Sequence, residues 1–148
     1  MQLFTIGYEG IDQSQFLSWL SNYKINVVAD VRDLPLSRKK GFSKSALSDF
    51  LEKNKIAYIN FRELGAPKEL RTYLINTKDY KTYFKKYKNI VSKNSAAIDT
   101  ILDTIKDGKN VALLCYEKDP STCHRSVVAD EVKKRDGNGL KIKHLGFI

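Results

Sequence analysis

The chain has 148 residues, of which 42% are hydrophobic and 11% aromatic, with only 8 Gly and 3 Pro. That composition excludes a disordered, collagen-like or low-complexity chain, and the length suits one compact domain over 1–148. Lys and Arg number 26 against 17 Asp and Glu, a net charge of +9, which attracts anionic partners such as nucleotides or nucleic acid.

The elements are read in chain order. Leu3-Phe4-Thr5-Ile6 is a short apolar run that stops at Gly7, the first strand. Asp12 with Gln15 three residues on is a capping-box pattern, and Phe16, Leu20 and Tyr23 follow at helical spacing. Asn26 to Asp30 reads as a buried strand that ends in charge, and a helix from Ser45 to Asn54 is expected to bury Ala46, Leu47, Phe50 and Leu51. Ile56 to Ile59 is a third strand. Tyr80, Tyr83, Phe84, Tyr87, Ile90 and Val91 form an apolar helical stripe, with Lys81, Lys85 and Lys88 opposite. A second amphipathic helix carries Ile98, Ile101, Leu102 and Ile105 and stops at Gly108. Val111 to Leu114 is a continuous buried strand ending at Cys115. Asp119-Pro120 opens the last helix as N-cap and first helical residue, and Ile142 to Phe147 is a final edge strand.

Apolar strands separated by helices indicate a parallel sheet covered on both sides. The expected fold is α/β, a three-layer sandwich with a mostly parallel sheet of about five strands and helices on both faces. No apolar run approaches the roughly 20 residues of a membrane helix, and MQLFTIGYEG does not read as a signal peptide. A cytoplasmic chain with no membrane partner is therefore expected.

In open α/β sheets ligands bind beyond the carboxyl ends of the strands. Four of the 6 arginines, Arg32, Arg38, Arg62 and Arg125, fall in the segments that follow strands or at their ends. Guanidinium offers a planar fork to phosphate or carboxylate, so the partition predicts an anion pocket at one edge of the sheet. Structural ion pairs with Glu9, Asp30, Asp33, Glu63 and Glu117 are the competing reading. Cys123-His124-Arg125 is placed in the first turn of the last helix, where unpaired N–H groups favour negative charge and lower a thiol's pKa. Cys123 is then a nucleophile, a small core residue or a metal or redox group, whereas Cys115 reads as packing and His144 as surface.

Known loop chemistries are tested by spacing. Where the cysteine-phosphatase loop requires Arg, the chain has Ser121 after Cys115 and Ala129 after Cys123. A rhodanese-like loop is only loosely similar, and the P-loop and dinucleotide motifs are absent. Cys115, Cys123, His124 and one carboxylate could be assembled around zinc, but the spacing gives little support, and no metal and no cofactor are expected.

Thr5-Ile6-Gly7-Tyr8-Glu9-Gly10, Asp30-Val31-Arg32 with Pro35 and Ser37-Arg38, Gly41-Phe42-Ser43-Lys44, Leu64-Gly65-Ala66-Pro67, and Leu114-Cys115-Tyr116-Glu117 through Cys123-His124-Arg125 resemble domain of unknown function family 488. The resemblance spans nearly the whole chain in the right order. It implies a small α/β protein of bacteria or archaea and no established activity.

The leading expectation is an enzyme that acts on a phosphorylated or other anionic substrate, with nucleotide or nucleic acid among the candidates. Tyr8, Asp30, Arg32, Ser37, Arg38 and Arg125 would bind the substrate, and Cys123, His124, Glu9 and Glu117 would carry the chemistry. A second reading is a non-catalytic nucleic-acid-binding module using the basic helix 78–93, since the stretch from Lys68 to Lys93 holds eight basic and two acidic residues. A third is thiol-dependent, rhodanese-like sulfur transfer through Cys123.

Overall fold

The protein is described by a computed structural model covering residues 1–35, 37 and 39–146. Its strands are β1 (Gln2–Gly7), β2 (Val27–Asp30), β3 (Ala57–Asn60), β4 (Val111–Cys115) and β5 (Lys141–Leu145). They form one sheet in the order β3-β2-β4-β1-β5, with every pairing parallel. The helices among the described residues are α1 (Gln13–Asn22), α2 (Lys44–Lys53), α3 (Lys68–Thr77), α4 (Tyr80–Ser92), α5 (Ser95–Lys106) and α6 (Arg125–Asp136). Single 3₁₀ turns cover Arg62–Leu64 and Pro120–Thr122. The α/β sandwich is thus the expected one, and its sheet is wholly parallel.

The strand order explains the layers. From β1 to β2 to β3 the chain steps along the sheet in one direction, and from β3 to β4 to β5 it steps back. Right-handed crossovers then put the two groups of helices on opposite faces. Phe16 and Leu20 of α1 and Leu47 and Leu51 of α2 pack with Phe4, Ile6, Val28 and Leu114 on one face. Leu70, Tyr87, Ile101 and Val128, from α3 to α6, pack with Leu3, Ala29 and Leu113 on the other. Strand β4 lies between β1 and β2, whose outgoing loops turn to the face opposite its own, so a crevice opens on both sides of its end.

Local chemistry sets the element bounds. The Asp12–Gln15 capping box forms as expected, each side chain meeting the other's backbone N–H. In α2, Leu47 and Leu51 are buried, but Ala46 is exposed and Phe50 half-buried. Gly108 does follow the end of α5, with φ +89°. Helix α3 is an element the sequence reading did not identify. Its stretch holds only one fully buried residue, Leu70, so its periodicity is weak.

The start of the last helix differs most from expectation. Asp119-Pro120 opens the 3₁₀ turn rather than α6, the Asp119 carboxylate accepting from Ser121 N at 2.9 Å. Cys123 then adopts extended backbone (φ −120°, ψ 140°) and His124 is the N-cap of α6. Cys123 therefore lies before the helix and not in its first turn. Strand β5 is an edge strand, as expected, and ends at Leu145; Phe147 lies outside the described residues.

Candidate functional site

A cleft of about 780 Å³ opens at the carboxyl ends of β1, β2 and β4. Tyr8, Arg32, Ser37, Glu117 and His124, all singled out from sequence, line it together with Cys115. Asp30 sits behind Arg32, and Cys123 and Arg125 are buried behind Cys115. Glu9 is exposed and braces a loop by accepting from Lys118 N at 2.9 Å. Arg38 lies outside the described residues.

The arginines do not meet as free forks. Arg32 donates Nε to Asp30 Oδ1 (2.8 Å) and Nη2 to Asp30 Oδ2 (2.7 Å), and its Nη1 reaches Phe42 O (2.7 Å) and Tyr8 OH (3.1 Å). Burial opposes its charge, but the Asp30 bonds and field outweigh that and hold its pKa above the ordinary arginine value. Tyr58 also donates to Asp30, and burial beside that carboxylate pushes the phenol's pKa up. Arg125 is completely buried and donates to the carbonyls of Glu117 and Lys118, to Thr5 Oγ1 (3.2 Å) and to Cys115 Sγ (3.1 Å). Burial lowers its pKa to about 10. The competing ion-pair reading therefore describes Arg32, while Arg125 clamps the β4 loop to β1. At Gly7 a Cβ would collide with the Glu117 carbonyl, so only glycine admits that loop against β1.

Cys115, Glu117 and His124 line the floor of the cleft, with Cys123 directly behind them. Cys115 and Cys123 are paired as a disulfide, and Cys115, read as packing, is buried in the core. Glu117 Oε2 lies 3.5 Å from Cys115 Sγ. Burial raises the Glu117 pKa, the nearby charge of Arg125 pulling the other way. His124 Nε2 is 2.6 Å from Val31 O. A carbonyl only accepts, so Nε2 carries the proton and the Nδ1 lone pair faces Cys123 Sγ at 3.9 Å. Burial holds the His124 pKa down at about 4, so the ring is neutral at neutral pH.

Sequence reading missed the cations and rings that complete the cleft wall. Arg71 gives Nη1 to Ala66 O (2.6 Å) and approaches Asp33 (3.4 Å), and its side chain stays 41% exposed. Lys39 lies nearby, its Nζ 5.9 Å from the Phe42 ring centroid. Tyr8 stacks on Phe42, and the exposed Tyr116 meets Tyr8 edge-on. Arg71 was hidden in the basic stretch, where only its being Arg among lysines marked it out. His144, expected at the surface, is half-buried, and its Nδ1 shares a hydrogen bond with Thr5 Oγ1 at 2.6 Å. On α4, Lys81, Lys85 and Lys88 face solvent, whereas Tyr83 and Tyr87 are buried.

Fold and site together define a doubly covered parallel α/β protein with a sulfur-bearing cleft at its topological switch point. Among the described residues no helix is long and apolar enough to cross a membrane. The sequence profile of the family described as domain of unknown function DUF488 matches residues 12–132, and the chain belongs to that family. No match is found among curated proteins or among solved structures.

Proposed function

We propose that this protein is a thiol-dependent sulfur-transfer enzyme whose substrate carries an anionic group. The observation that supports the reading is the cysteine pair at the cleft floor, with Arg125 Nη1 3.1 Å and Glu117 3.5 Å from the Cys115 sulfur. A buried cation against a sulfur favours thiolate, the nucleophilic form. The expected roles shift accordingly: Cys115, which lines the cleft, attacks substrate, and Cys123 stands behind it with His124 Nδ1 3.9 Å from its sulfur. In the reducing cytoplasm, the location proposed here, the pair starts as two thiols.

The reduced Cys115 thiolate attacks the outer sulfur of an anionic sulfane donor. The donor's sulfur–sulfur bond breaks, its remainder leaves with the electron pair, and Cys115 becomes a persulfide. A nucleophilic acceptor then takes the outer sulfur and restores the thiolate. When no acceptor arrives, the Cys123 thiolate attacks Cys115 Sγ, expels hydrosulfide and closes the disulfide, which a cellular dithiol must reduce. Lys39 and Arg71 hold the donor's negative end, and Arg32 and Arg125 position the walls. This keeps the anionic substrate of the leading sequence reading and moves its binding to other cations. The nucleic-acid module gains less support, because Tyr83 and Tyr87 of the basic helix are buried and Tyr80 alone of its tyrosines is exposed to stack on bases.

The test is sulfur loading of the reduced protein with thiosulfate or an organic persulfide, followed by cyanide as acceptor. Mass spectrometry is expected to find one added sulfur on Cys115, with thiocyanate released on cyanide addition. Cys115→Ser should abolish both signals, Cys123→Ser should retain the persulfide, and Arg71→Ala should raise KM for the anionic donor several-fold with kcat little changed. Wild-type protein that gains no sulfur from either donor would overturn the reading.

A further inference from the structure

The sulfur cluster has a second chemical capacity that does not require sulfur transfer. The Sγ atoms of Cys115 and Cys123 and a ring nitrogen of His124 all lie within 4.8 Å of one another, and all three residues are buried. From this geometry we infer that the reduced protein binds one soft divalent cation of the zinc class through Cys115, Cys123 and His124 Nδ1, with Glu117 closing the fourth position from the cleft side.

Three features carry this. The first is the tautomer of His124. Its Nε2–H is committed to Val31 O at 2.6 Å, and the Nδ1 lone pair points at the sulfurs. A ligating histidine whose other nitrogen is pinned by a carbonyl is the usual outer-shell arrangement of zinc sites. The second is reach. The 3.9 Å between His124 Nδ1 and Cys123 Sγ is close to the ligand–ligand spacing of a tetrahedral site with Zn–S near 2.3 Å and Zn–N near 2.0–2.1 Å. Glu117 Oε2 lies 3.5 Å from Cys115 Sγ, on the cleft side of that ligand, although it stands outside the group of three mutually close ligand atoms. The third is charge. Two thiolates and the Glu117 carboxylate supply three negative charges, and a divalent ion with Arg125 beside it supplies three positive ones. A buried site needs that balance.

The spacing of the two cysteines lacks the Cys-x-x-Cys pairing from which zinc is usually read, and for that reason the sequence offered these ligands only as an unfavoured alternative. Folding supplies the neighbourhood instead: β4 delivers Cys115, and the extended residue before α6 delivers Cys123 with His124 next to it. Binding requires two balanced steps. A phosphine or dithiol reductant gives two electrons, and two protons join the sulfurs, opening the disulfide to two thiols. The cation then displaces both thiol protons to solvent as two metal–sulfur bonds form. Metal-bound and disulfide forms are therefore alternative states of one sulfur pair, and the bound ion shields the thiols from oxidation.

The experiment uses the full chain, reduced with a phosphine under inert gas and titrated with Co²⁺ and then Zn²⁺. One equivalent of Co²⁺ should give a sulfur-to-metal charge-transfer band, Zn²⁺ should bleach it, and bound Zn²⁺ should block alkylation of both cysteines. Cys115→Ser and Cys123→Ser should each lose the band, and His124→Ala should weaken binding by roughly 100-fold or more. Glu117→Gln provides a variant outside the core: it should keep the thiolate band and change its ligand-field pattern. Wild-type protein without a thiolate band, or with both cysteines still freely alkylated under excess Zn²⁺, would overturn the inference. The sulfur-loading assay on metal-free protein is unaffected by that outcome, so the two proposals fail separately.

Discussion

Arg32 shows how a residue type alone misleads. Its position after β2 suggested an open fork for a ligand, yet its guanidinium is filled by Asp30, Phe42 O and Tyr8. Removing one partner of a buried pair strands the other. Arg32→Ala should therefore cost about 3–5 kcal/mol in denaturant unfolding, and replacing both Asp30 and Arg32 with apolar residues should recover much of that loss. A variant as stable as wild type would return Arg32 to ligand binding. His124 makes a pH-dependent contribution. Burial lowers its pKa from 6.5 to about 4, so between those values the unfolded chain binds a proton that the folded chain excludes. The contribution is complete above pH 6.5 and is lost as pH falls toward 4, up to roughly 3 kcal/mol. Unfolding of the metal-free protein across that window should show the loss, and His124→Gln should flatten it.

At the level of elements, strong patterns were readable and weak ones were not. The apolar stripes of α4 and α5 and the four-residue run of β4 each bury a continuous surface, so local spacing states their environment. Helix α3 buries only Leu70 and escaped notice, though it carries Arg71, a cation of the cleft wall. The start of α6 was misplaced because Asp-Pro is an equally good opening for a 3₁₀ turn, and one such turn intervenes here. That shift of a few residues takes Cys123 out of the helix and sets it against Cys115. A small shift in element bounds thus changes which groups meet, since the sequence joined the two cysteines only in an unfavoured zinc set.

For the molecule as a whole, stability rests on the two apolar layers and not on the sulfur bond. The disulfide closes only a short loop, with a sequence separation of 8. Chain-entropy arithmetic for such a loop gives about 2–3 kcal/mol. Reduction should lower stability by no more than that, and near-ultraviolet circular dichroism should report intact tertiary packing. Unfolding on reduction at room temperature would contradict this balance and would assign the sulfur pair to structure in place of chemistry. The positive charge is spread similarly: Lys81, Lys85 and Lys88 face solvent on α4, away from the two buried arginines.

What the amino-acid order determined unaided was the alternation of strand and helix, the parallel three-layer sheet and the end of it at which several of the candidate residues line one cleft, because each follows from the local periodicity of apolar side chains. It also marked Tyr8, Arg32, Ser37, Glu117 and His124, which do share one cleft. Only the tertiary structure decided which of those groups are already satisfied and which face one another. Hydrogen-bond saturation and sulfur-to-sulfur proximity depend on crossovers that bring β1, β2 and β4 side by side, and no spacing along the chain encodes a distance across a sheet.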